Sequence, residues 1–124
     1  MAKRTVHSAP VARAHLRHLP VGPRKLRLVA DLVRGQQVGP ALATLRHTPR
    51  AGSMPLYKVI KSARDGAEQN PANEGLIPDP DALVISRLLV DGGPIVWRWR
   101  PAAYGRTSRI RKRSCHVTVE LSLS

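Results

Sequence analysis

The chain has 124 residues and 13.6 kDa, enough for one domain around one modest core. Its 21 Lys and Arg against 8 Asp and Glu give a formal net charge of +13, far more than solubility requires, and this points to a polyanionic partner. A single cysteine excludes an internal disulfide and fits a reducing compartment, and no apolar run approaches the ~20 residues of a membrane span.

Met1 to Pro10 is polar and basic and reads as a flexible arm. It lacks the apolar block of a secretory signal and is too poor in Ser and Thr for an organellar transit peptide. Val11 to Pro20 predicts a strand, with His15 and Arg17 on one side and Leu16 on the other. Gly22-Pro23 opens a helix from Arg24 to Arg34, and Gly35 closes it as a left-handed cap. Leu26, Val29, Ala30 and Val33 share one face; Arg24, Arg27, Asp31 and Arg34 share the other, where Asp31 is placed to brace both Arg27 and Arg34. Gly39-Pro40 predicts a short helix over Pro40 to Arg46.

Ser53 is expected to cap a third helix running to Asn70, stopped by Pro71. Its stripe Leu56, Val59, Ile60, Ala63 and Ala67 faces a core, while Asp65 and Glu68 offer i,i+4 partners to Lys61 and Arg64. Gly66 weakens this helix. Asn70 to Asp81 reads as a loop. Two β runs follow, Ala82 to Val96, broken at Asp91-Gly92-Gly93-Pro94, and Arg106 to Leu123, where Cys115, Val117, Val119 and Leu121 alternate with polar residues. Pro101 to Gly105 supplies the turn between them. The result is a long antiparallel hairpin, apolar at its base and basic at its far end, reaching roughly 30 Å beyond the body at about 3.3 Å per residue.

The stretch from Trp97 to Arg113 holds seven of the 21 cations, both tryptophans and no carboxylate. In an extended chain Trp97 and Trp99 share one face and Arg98 and Arg100 the other, so neither face is built for a protein core. An isolated ribbon is marginal in water. This one needs a surface that accepts flat rings and cations together, as nucleic acid does through its bases and phosphates.

Catalytic signatures are absent. His15 and His18 have no acidic or cysteine partner at ligand spacing, Cys115 and His116 point to opposite faces, and Asp79 and Asp81 belong to a solvated turn. Neither metal nor cofactor is expected, and the chain is not read as an enzyme.

The run Pro23-Arg24-Lys25-Leu26-Arg27-Leu28-Val29-Ala30-Asp31-Leu32-Val33-Arg34-Gly35 resembles the first-helix signature of the ribosomal protein L22 family, of bacterial type. So do Val90-Asp91-Gly92-Gly93-Pro94, Arg98, Pro101, Gly105-Arg106, Arg109-Ile110, Lys112-Arg113 and His116-Val117-Thr118-Val119. Ala63, Glu68 and Asn70 resemble the end of the family's long helix, and the likeness runs from about Leu16 to Leu121. The resemblance implies an α+β body of three helices packed on a small antiparallel sheet, with residues 91–113 as an extended hairpin. It implies a structural constituent of the large ribosomal subunit in the cytoplasm, binding 23S-type rRNA and neighbouring ribosomal proteins. The hairpin would line the exit tunnel and meet the nascent polypeptide; no membrane and no homo-oligomer are implied.

Carried onto this chain, the RNA contacts are Arg24, Lys25, Arg27 and Arg34 of the body and Arg98, Arg100, Arg106, Arg109, Arg111, Lys112 and Arg113 of the hairpin. The tip is Trp97, Trp99, Pro101, Tyr104 and Gly105. Trp97 and Trp99 stand where the family has smaller or basic residues. The rival reading is a DNA-binding module with the Arg24 to Arg34 helix in a major groove, which leaves the double-Trp ribbon without a role.

Overall fold

Helix α1 (Pro23–Val33) begins on a proline, whose missing N–H is no loss in a first turn, and ends before Gly35, which takes φ +80°. The structure, a computed structural model describing residues 9–123, buries the α1 stripe Leu26, Val29, Ala30 and Val33 as the spacing predicts. Helix α2 spans Val38–His47, and α3 spans Ser53–Gln69 with Leu56, Val59, Ile60, Ala63 and Ala67 inside. Gly52 stands immediately before α3 because a Cβ there would run into Leu26 Cδ1, so the glycine lets α1 and α3 approach.

Five strands follow from the alternating runs: β1 (Ala12–Leu19), β2 (Val84–Gly92), β3 (Val96–Pro101), β4 (Thr107–Lys112) and β5 (Cys115–Ser122). β1, β5 and β2 form a three-stranded antiparallel sheet in that order, and β3 pairs with β4 in a separate two-stranded ribbon. Central β5 turns Cys115, Val117, Val119 and Leu121 into the core, while α3 packs across β1 and α1 lies along β2. This is the expected α+β body with a long hairpin. Its two halves are sheet and ribbon, parted by the Gly-Gly-Pro break.

Two irregularities reset the alternation. Between Ile85 and Arg87 the register with β5 shifts, so the buried positions run Leu83, Ile85, then Leu88 and Val90. In β1 the register shifts between Leu16 and Leu19, where His18 has φ 58° and its N–H donates to His116 Nδ1 at 3.1 Å. Leu19 is thereby turned inward.

Several local expectations are corrected. Ser53 is the first residue of α3 rather than its cap, and its hydroxyl donates to the carbonyls of Thr48 and Arg50 at 2.9 and 2.7 Å. α2 starts two residues early: Val38 N–H donates to Leu83 O at 2.8 Å, and Pro40 falls in the first turn, where no N–H is needed. Asp31 pairs with Arg34 only, since Arg27 turns to β2. Arg64 binds Asp65 at 3.2 Å and, across the loop, Asp81 at 2.9 Å, in place of Glu68. The Asn70 to Asp81 loop contains 3-10 turns at Pro71–Asn73 and Pro80–Ala82, and Asn73 ties it down by donating to Val11 O and Ala67 O. The expected basic arm lies, apart from Ala9 and Pro10, outside the described residues.

Candidate nucleic-acid interface

The hairpin bends where Gly93 faces Ser114. Gly93 N–H donates to Ser114 O at 2.9 Å and Ser114 Oγ donates to Pro94 O at 2.6 Å. A Cβ on Gly93 would come within 2.7 Å of Ser114 Oγ, so a larger residue would push that hydroxyl off Pro94 O. Beyond the joint every residue of β3 is exposed, and every residue of β4 except half-buried Ile110. The ribbon's apolar side chains therefore have no body beneath them.

Its register pairs Trp97 with Arg111 and Trp99 with Arg109 on one face, and Arg98 with Ile110 and Arg100 with Ser108 on the other. The split of Trp97 and Trp99 from Arg98 and Arg100 is as expected. What the sequence reading missed is that two arginines of the opposite strand join the tryptophans. Arg109 lies 4.3 Å from the Trp97 ring centroid and 5.6 Å from that of Trp99, and Arg111 lies 5.3 Å from Trp97. These are cation–π distances, and they tie both rings to the arginines of the opposite strand.

The turn at the tip is of the I′ kind, with Tyr104 at φ 59°, Gly105 at φ +69° and Arg106 N–H donating to Ala103 O at 3.3 Å. Its twist suits a hairpin, but glycine or asparagine ordinarily fills the position Tyr104 takes. That strained residue holds a fully exposed ring.

The chain brings a second set of cations to the ribbon's root. Arg24 and Lys25 of α1 meet Arg111, Lys112 and Arg113 around a cleft of 580 Å³ whose remaining wall is Pro20, Gly22 and Pro23. The first turn of α1 has no acidic residue and no side-chain cap, so the positive end of its dipole faces the same space. Among the described residues the ion pairs engage Arg13, Arg34 and Arg64, and none engages a ribbon or cleft cation. Among the described residues no carboxylate pairs with this positive field.

Arg27 and Arg34, expected among the RNA contacts, have structural work. Arg27 donates through Nε and Nη2 to Val90 O at 3.2 and 3.0 Å, and Arg34 through the same atoms to Leu88 O at 3.3 and 3.0 Å. β2 is an edge strand, and these carbonyls lie on its open side. Further along that edge, Gly35 N–H donates to Ile85 O at 3.2 Å and Val38 N–H to Leu83 O. The two arginines complete the capping of the edge.

The carboxylates, cysteine and histidines weighed for chemistry have local roles. Asp79 accepts the N–H of Asp81 at 3.0 Å, so the two carboxylates serve a turn and an ion pair. Cys115 is fully buried and faces the core, where desolvation pushes its thiol up from the ordinary value. His18 and His116 stack edge to face at 5.0 Å, and among the described residues no group of three or more His, Cys, Asp or Glu is placed to hold a metal ion.

A family model described as Ribosomal protein L22p/L17e matches residues 14–122, which takes in both the body and the whole hairpin. The chain belongs to the ribosomal protein L22 family, structural constituents of the large ribosomal subunit that bind rRNA.

Proposed function

We propose that this chain binds 23S-type rRNA of a bacterial-type large subunit through the β3–β4 ribbon and the cleft at its root. The tip, from Trp97 to Arg106, lines the exit tunnel and meets the nascent polypeptide. The observation that carries the reading is the ribbon itself: exposed on both faces, free of carboxylate, and continuous with the five cations of the cleft. Arg98, Arg100, Arg106, Arg109, Arg111, Lys112 and Arg113 neutralise phosphates, as do Arg24 and Lys25 from the body. Neighbouring ribosomal proteins complete the surroundings.

A major-groove role for α1 finds less support. Its outward side carries exposed Leu28 and Leu32, and Arg27 and Arg34 reach back to β2. The test is a shortened hairpin, with residues 98–110 replaced by Asn-Gly, which closes Trp97 onto Arg111 in a turn suited to hairpins. Core and cleft are untouched, so the variant should fold and enter large subunits, while cryo-EM should show a wider tunnel and macrolide response should change. Absence from subunits would make the tip an anchor; presence with an unaltered tunnel would place the hairpin elsewhere.

A further inference from the structure

Trp97 and Trp99 differ in how far the ribbon satisfies them. Along one face of β3–β4 the side chains alternate Arg111, Trp97, Arg109, Trp99, each cation lying over a ring. Among the described residues Trp97 has two guanidinium groups within 5.3 Å, whereas Trp99 has Arg109 alone, at 5.6 Å, and is 62% exposed. Trp99 is therefore the open end of the series, a ring fixed by its neighbour with a π-face still available. Among the described residues no core element lies under the ribbon to take it.

We infer that Trp99 is a stacking platform for one unpaired nucleobase of RNA, which rests on the RNA reading above. Charge complementarity decides the occupant. The stretch from Trp97 to Arg113 carries seven cations and no carboxylate, so it matches a ligand with a flat ring and flanking phosphates. Arg109 and Arg111 share the Trp99 face and are the cations nearest to those phosphates, while Arg98 and Arg100 serve the ribbon's opposite side. A passing polypeptide supplies neither a constant flat ring nor a constant negative charge. Arg109 makes the platform rigid before the base arrives, which reduces the ordering that binding would otherwise require.

Both tryptophans of the chain lie in the ribbon, so selectively excited tryptophan fluorescence of the full chain reports on this face. The full chain is titrated with hexa-adenylate and with an abasic ribose-phosphate hexamer of equal charge, each across a range of salt. Hexa-adenylate should quench the emission and bind on the order of tenfold tighter than the abasic hexamer, as one base stacked on an aromatic ring allows. Trp99→Leu should abolish that difference and leave abasic binding and the melting temperature unchanged, while Trp99→Tyr should keep the difference. Equal, steeply salt-dependent affinity for both hexamers would overturn the platform and leave the RNA reading standing. No salt-dependent binding of either would overturn the RNA reading and the platform with it. Quenching by a neutral hexapeptide, with no advantage of adenylate over abasic, would make the occupant a polypeptide and refute the inference.

Discussion

Replacing Arg27 and Arg34 by Met removes the two forks that hold the outer edge of β2. Each guanidinium gives two N–H groups to a single carbonyl, at 3.0 to 3.3 Å. Hydrogen bonds from charged donors contribute roughly 1.5–3 kcal/mol when well shielded. These sites border solvent, and water can replace part of the loss, so about 1–1.5 kcal/mol for each arginine is a fair magnitude. In a domain of this size that lowers Tm by about 3–6 °C per substitution. The double variant should lose about twice as much, less any coupling through the shared strand, and its uncovered edge should raise aggregation near Tm. Differential scanning calorimetry measures the first effect, and the salt slope of RNA binding separates it from the alternative. Were both arginines phosphate ligands, the slope would fall by about 1.5, at roughly 0.7–0.9 per contact. An unmoved Tm with that fall in slope would refute the edge-capping role; a fallen Tm with a slope change under about one unit supports it.

Val59→Asp puts an unpaired carboxylate into the buried stripe of α3 and should cost several kcal/mol, roughly the whole stability of so small a domain, so thermal unfolding should lose its cooperativity. Gly66→Ala should act the other way. The site is exposed and helical, an added Cβ meets nothing within 4 Å, and a gain of about 0.5–1 kcal/mol should appear as a raised urea midpoint with unchanged m-value.

The helices and the long hairpin were legible because their signals are local. Leu26, Val29, Ala30 and Val33 repeat at helical spacing, Pro23 and Gly35 mark the ends of α1, and Val117 to Leu121 alternates cleanly. The bulge between Ile85 and Arg87 was hidden because Leu83 to Val90 is apolar on both parities, so nothing in composition shows where the alternation slips. That the exposed Arg27 and Arg34 also reach the β2 edge was hidden, since their i,i+4 and i,i+3 relation to Asp31 is visible in one dimension and an unpaired strand edge is not. The stacking of Arg109 on the tryptophans depends on cross-strand register. That register is set by the Tyr104-Gly105 turn, which a Pro-Ala-Ala-Tyr-Gly stretch does not pin to one residue pair. The cleft is the furthest from legible: Arg24 and Arg111 are brought together only by the docking of α1 along β2.

The most direct measurement of the central claim is the salt dependence of large-subunit rRNA binding by the full chain and by Arg24→Gln/Arg111→Gln/Arg113→Gln. All three arginines line the cleft at the ribbon's root, and none is in an ion pair among the described residues. With each phosphate contact giving about 0.7–0.9 to the log–log slope, the triple variant should bind with a slope shallower by roughly two units and keep the parent's melting temperature. An unchanged slope would mean that these cations are merely solvated, and that the RNA is held elsewhere on the chain.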